Sequence, residues 1–148
     1  MKACGSGDSK GNMNRISAFI VVVAVALVAA GCGGSDTDEF NDGVKKAQQP
    51  MDQAAKNADN ADPGQMDRYA QAMDDTVARL RELDAPDEAQ DEYDAFIKEI
   101  EAGADAARDT SSAARSGDKE AFAEAIAQLE QHFKAISEKA EAVGTAVG

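Results

Sequence analysis

Between Ile16 and Ser35 the chain carries no charged residue, and this stretch divides the 148 residues into two parts that obey different rules. Arg15 precedes the apolar run Ile16-Ser17-Ala18-Phe19-Ile20-Val21-Val22-Val23-Ala24-Val25-Ala26-Leu27-Val28, and Ala29-Ala30-Gly31-Cys32 closes it. A basic flank, an apolar core and small residues, in that order, read as a secretory leader. The alternative is an uncleaved transmembrane helix, since about 18–20 uncharged residues suffice to cross a bilayer. Either way the remainder is expected outside the cytoplasm, because the basic residues sit on the amino side of the run.

The run and its ending resemble a bacterial lipoprotein signal peptide, with Ala29-Ala30-Gly31-Cys32 as the lipobox and Val28 just upstream. The resemblance implies that the thiol of Cys32 takes a diacylglyceryl group, and that small Ala29 and Gly31 admit a peptidase that cuts between Gly31 and Cys32. Cys32 then becomes the mature amino terminus, carrying palmitate-type chains. One acyl chain holds only marginally, whereas two or three anchor stably, at about 0.8 kcal/mol per buried methylene. A plain membrane span has no need of that small-residue stretch or of a lone thiol. The resemblance covers residues 1–32 and nothing beyond, and implies a signal peptide over 1–31 and a lipidated Cys32; Gly33-Gly34-Ser35-Asp36-Thr37-Asp38 reads as a flexible tether, so that 32–38 link the lipid to a folded domain over 39–148. Met13-Asn14-Arg15-Ile16 makes a more usual start for such a leader than Met1-Lys2-Ala3-Cys4, so Met13 is the expected first residue.

Removing Lys2, Lys10, Arg15 and Asp8 with the leader leaves 12 bases against 27 acids, a net charge of −15. Such a surface repels phosphate backbones and anionic headgroups, which disfavours nucleic acid and electrostatic docking to a bilayer. Cys4 precedes the apolar run and Cys32 ends it, so the folded part contains no disulfide.

No segment after the tether alternates with period two, and Ala recurs throughout, which predicts an all-α domain. Phe40, Val44, Ala47, Met51, Ala54 and Ala58 are spaced as a heptad seam and predict a first helix over about Asp38–Asp59. Pro50 interrupts it, and because the seam keeps phase on both sides a kink is favoured over a break. Asp62-Pro63-Gly64-Gln65 supplies a cap, a Pro at the first helical position and a polar side chain at the third, opening a second helix that runs to about Leu83. Its seam is Met66, Tyr69, Met73, Thr76 with Val77, Leu80 and Leu83. Pro86 opens a third helix to about Arg115, on Ala89, Tyr93, Phe96, Ile100, Gly103, Ala107, Thr110 and Ala114. Ser116-Gly117-Asp118 turns the chain into a fourth, on Phe122, Ile126, Leu129, Phe133, Ile136, Ala140 and Val143. Short turns impose antiparallel neighbours, so the expected architecture is an up-down-up-down four-helix bundle following the N-terminal hydrophobic segment. In it Phe122 and Ile126 lie against small Gly103, Ala107 and Ala114, and all six aromatic residues after the tether pack in the core.

Chemistry is sparse. His132 is the single imidazole and Leu129 stands three residues before it, so the Glu-x-x-His pattern of a di-iron bundle is absent and His132 is expected on a flank. Zinc sites and His-based triads have too few parts. Asp36-x-Asp38-x-Phe40-Asn41 has the wrong residues for a calcium loop. Asp87, Glu88, Asp91, Glu92 and Asp94 form the densest acidic cluster, with like charges at i,i+4 that suit a solvated helix start better than a site. With every aromatic on a seam, none remains as a stacking platform.

These readings predict a non-catalytic, lipid-anchored extracytoplasmic bundle acting as a binding or structural module at the cell envelope. It is expected to need no cofactor or metal, and its expected contacts are the membrane, through Cys32, and an unidentified envelope protein or polymer. The alternative is a lipoprotein that binds a cation or small ligand through acidic helix faces. Small, Ala-rich helical lipoproteins of high-GC bacteria are similar in general character, which supplies a class without a role.

Overall fold

The computed structural model describes residues 35–58 and 62–148. The signal segment 1–31, the cleavage point at Gly31 and the lipidation residue Cys32 lie outside the described residues. Four α-helices, α1 (Ser35–Ala55), α2 (Pro63–Leu80), α3 (Gln90–Ser116) and α4 (Lys119–Ala146), make up the fold, with a 3-10 turn at Asp87–Ala89 ahead of α3. The described residues contain no strand, as expected of an all-α chain.

The helix ends correct the sequence reading. Ser35 already belongs to α1, so residues 35–38 are helical where the sequence predicts a tether; Asp36 and Asp38 in the first turn favour the positive end of the helix dipole. α1 runs unbroken through Pro50, in line with the expected continuity, but stops at Ala55, short of Asp59. There the side chain of Asn57 donates to Gln53 O at 3.1 Å, a carbonyl that the helical backbone would otherwise use. α2 stops at Leu80 and not at Leu83: Glu82 N and Leu83 N turn back tightly to Arg79 O and Leu80 O. Between α3 and α4, Gly117 takes φ +73°, a left-handed conformation that closes α3 and that side chains resist. Asp118 Oδ1 then accepts from Glu120 N at 2.9 Å and Ala121 N at 3.1 Å to cap α4.

α3 is central, packing against both α2 and α4, while α1 packs on α2. Three ion pairs set the α2–α3 register: Arg81 with Glu101 at 2.7 Å, Arg108 with Asp74, and Arg115 with Asp67. Residue numbers rise by seven on one helix as they fall by seven on the other, so these two helices run antiparallel. Beneath the ladder, Tyr93 Oη donates to Leu80 O at 2.7 Å, and the buried hydroxyls of Thr76 and Thr110 donate to the carbonyls of Ala72 and Ala106. Phe40 of α1 meets Tyr93 edge-on with centroids 5.1 Å apart, and Tyr69 of α2 meets Phe133 of α4 at 5.6 Å. Core centres are Met66, Met73, Leu80, Tyr93, Phe96 and Ile100, all buried.

The large-against-small fit expected of α3 and α4 occurs with a different partner. A Cβ on Gly103 would lie 2.6 Å from Met73 Cε and 3.1 Å from Ile136 Cδ1, so Ile136, not Phe122 or Ile126, occupies the space that Gly103 leaves. Ala125 is buried on the first turns of α4, whereas Phe122 and Ile126 are half-exposed and lie outside the central cluster. The reason is the missing neighbour: among the described residues no α1–α4 pairing covers that flank. The expectation that every aromatic lies in the core therefore fails at Phe122, and Phe133 is only half-buried.

Gly103→Leu is expected to lower unfolding stability by about 1–3 kcal/mol by overpacking this three-helix contact. Denaturant titration checks it; a variant as stable as the parent would mean that Met73 and Ile136 can withdraw.

Candidate functional site

A cleft of about 510 Å³ opens between the end of α1 and the start of α2, lined by Gln53, Ala54, Asn57, Ala58, Gln65 and Arg68. Its α2 wall is built by the cap. Asp62 Oδ1 accepts from Gly64 N at 2.8 Å and from Gln65 N at 3.1 Å, and its Oδ2 accepts from Gln65 Nε2 at 3.1 Å. Three donors thus occupy the carboxylate, and Gln65 is fixed as a wall with its Oε1 buried and without a partner. The same turn is tied to α3: Ser111 Oγ donates to Pro63 O at 2.9 Å, Arg115 Nη1 donates to Ser111 Oγ at 2.8 Å, and Arg115 also pairs with Asp67.

The α1 wall carries Gln53 of the helix and Asn57 of the turn that follows it, with Ala54 and Ala58 packed against the core behind them. Asp52, beside Gln53, has its carboxyl pushed above the usual range by burial, partly offset by Lys56; burial, and after it the Asp52 charge, holds the Tyr69 phenol well above the ordinary value. Arg68, exposed, makes no hydrogen bond or ion pair among the described residues and acts on Asp62 only through space. Amides, a guanidinium and two small apolar side chains can recognise a polar molecule; the lining has no hydroxyl, thiol or imidazole to act as a nucleophile.

The residues weighed from sequence fall elsewhere. Asp87 and Glu88 occupy the 3-10 turn, Asp91, Glu92 and Asp94 follow in the first turns of α3, and Asp94 Oδ1 accepts from Gln90 Nε2. No group of three His, Cys, Asp or Glu side chains among the described residues is placed to hold a metal ion. His132 is half-buried on α4, and its Nδ1 lies 2.6 Å from Glu99 Oε1 of α3, where a carboxylate requires the imidazole to donate. Among the described residues no helix is long and apolar enough to cross a membrane. The cleft itself escaped the sequence reading, although Gln53/Asn57 and Gln65/Arg68, at i,i+4 and i,i+3 on either side of an Asn- and Asp-rich stretch of sequence, were its visible trace.

No family model matches the chain, and no curated protein or solved structure is significantly similar to it.

Two carboxylates near the cleft tie stability to pH. The backbone amide of Gln65 is the chief cause that lowers the Asp62 carboxyl below its ordinary value, and the Arg115 side chain, then Ser111, lowers that of Asp67. A depressed folded-state value stabilises the fold above the unfolded-chain value near pH 4 and is lost as pH falls through the lower, folded one. The thermal midpoint is therefore expected to fall as pH drops below about 4. In Asp62→Asn and Asp67→Asn this acid limb should be shallower; melts at pH 2–6 showing the parent's slope in both variants would refute the assignment.

Proposed function

We propose that the chain is a bacterial lipoprotein whose acidic helical domain stands on the extracytoplasmic face of the membrane as a non-catalytic binding or structural module of the cell envelope. The observation that carries this reading is the succession of a 13-residue apolar run and Ala29-Ala30-Gly31-Cys32. The domain is an up-down-up-down arrangement of α1–α4, and the antiparallel α2–α3 ladder supports that topology. Because Ser35, three residues after Cys32 in sequence, already belongs to α1, the lipid would hold the domain close to the bilayer. At −15 the mature chain has no electrostatic attraction to anionic headgroups, which leaves the acyl chains as the whole of the membrane affinity. Its further partner is an envelope protein or polymer and not nucleic acid.

In cells fed an alkyne palmitate analogue, the parent chain should become labelled and Cys32→Ser should not. Intact mass should show a chain beginning at Cys32 with added diacylglyceryl. An unlabelled chain with an intact leader and a free thiol at Cys32 would establish an uncleaved span in its place.

A further inference from the structure

We infer that the α1–α2 cleft binds a small hydroxylated carboxylate, a sugar acid in chemical class, with Arg68 taking the carboxylate. The inference rests on the cleft alone and holds whether or not Cys32 is lipidated. At about 510 Å³ the cleft has the size of a small-molecule site, which commonly spans roughly 300–1,000 Å³.

Arg68 is the residue that decides the ligand's charge. Arg81, Arg108 and Arg115 are each neutralised by a carboxylate across the α2–α3 face, whereas Arg68 sits at the cleft with no such partner. The nearby carboxylate, Asp62, is held by two backbone amides and the Gln65 side chain, so its oxygens are committed to capping α2. A planar guanidinium left open at a concave surface matches a carboxylate with two parallel hydrogen bonds.

The opposite wall decides the rest of the ligand. Gln53 offers both amide atoms, and Asn57, whose Nδ2 is bound to Gln53 O, offers Oδ1 as an acceptor. Amide groups of mixed donor and acceptor character suit hydroxyls. Ala54 and Ala58 between them present a small apolar patch that fits the C–H face of a sugar ring, and neither is large enough to fill the cleft. Gln65 contributes shape only, since its Nε2 is bound and its Oε1 is closed off from solvent. The two walls also differ in how they are held: α2 is tied to α3 through Ser111 and Arg115, while α1 packs mainly on α2, and its contribution follows Pro50.

Saturation-transfer NMR on the full chain in detergent, titrated with glucuronate, tests the inference. Saturable binding is expected with Kd on the order of 1 mM, and about tenfold weaker binding in Arg68→Met, which keeps the stem and removes the fork. Arg68→Lys should fall between them, and circular dichroism establishes that each variant is folded. Glucose, which lacks the carboxylate, should bind at least about threefold more weakly than glucuronate, and so should acetate, which lacks the hydroxyls. Absence of saturation by glucuronate overturns the inference, as does Arg68→Met binding like the parent. Equal binding of glucose would make the cleft blind to charge, and equal binding of acetate would make Arg68 a bare anion site; either result refutes the sugar-acid assignment.

Discussion

Asp67 and Asp74 on α2 and Arg81 at its C-terminal cap lie one heptad apart and meet Arg115, Arg108 and Glu101 on α3 in reverse order, so all three rungs test the same register. Sliding α3 by seven residues to bring Asp67 against Arg108 would set Asp74 against Glu101, two acids together. Each rung is solvent-exposed, and such pairs contribute about 0.2–1 kcal/mol. The ladder therefore selects one alignment, while burial of Met73, Leu80, Phe96 and Ile100 supplies the bulk of the stabilisation. Packing enforces the same choice. The same slip would bring Phe96 to the place where Gly103 lets Met73 and Ile136 approach, and the space under Met73 Cε has no room even for a methyl group without movement.

Because α3 touches both α2 and α4, this register propagates. It fixes where Ile136 and His132 of α4 come to rest, and it places Ser111 and Arg115 so that they hold the first turn of α2. The α2 wall of the cleft is thus set by contacts made on the far side of that helix. Asp62, which begins the helix, is fully engaged in capping it, and that engagement leaves Arg68 open.

Much of this was legible in the sequence, for a physical reason in each case. Helix starts were clear where a side chain both signals and performs the capping, as at Asp62 and Asp118. The seams of α2 and α3 were clear because large apolar residues recur at 3.5-residue spacing, and a stripe of that kind must be buried. Two kinds of feature were not legible. Helix ends depend on competition, as when Asn57 takes Gln53 O or Leu83 turns back to Leu80 O, and spacing says nothing about which bond wins. Pairings between helices depend on which neighbour is present. Phe122 and Ile126 keep the phase of a seam, yet no α1–α4 pairing covers them, and His132 finds Glu99 across 33 residues of sequence. The cleft belongs to this second kind, since Gln53, Asn57 and Arg68 converge only when the two helix ends are brought side by side.

α1 then stands out as the helix whose sequence is least reconciled with its surroundings. Asn41 and Gln48, one heptad apart on it, are buried, with Asn41 Oδ1 and Gln48 Nε2 unpaired. A buried polar atom without a partner costs about 1–3 kcal/mol. Pro50 removes one further helical hydrogen bond. Backbone-level packing on α1 comes from α2, with Phe40 alone reaching Tyr93 of α3, so less burial offsets these costs than in α3, which packs along both α2 and α4. Sub-global opening follows the least stabilised element, and by this reasoning α1 separates from the α2–α3–α4 unit before that unit comes apart. Opening of that kind would dismantle the α1 wall of the cleft while leaving Arg68, capped and tied through α2 to α3, in place.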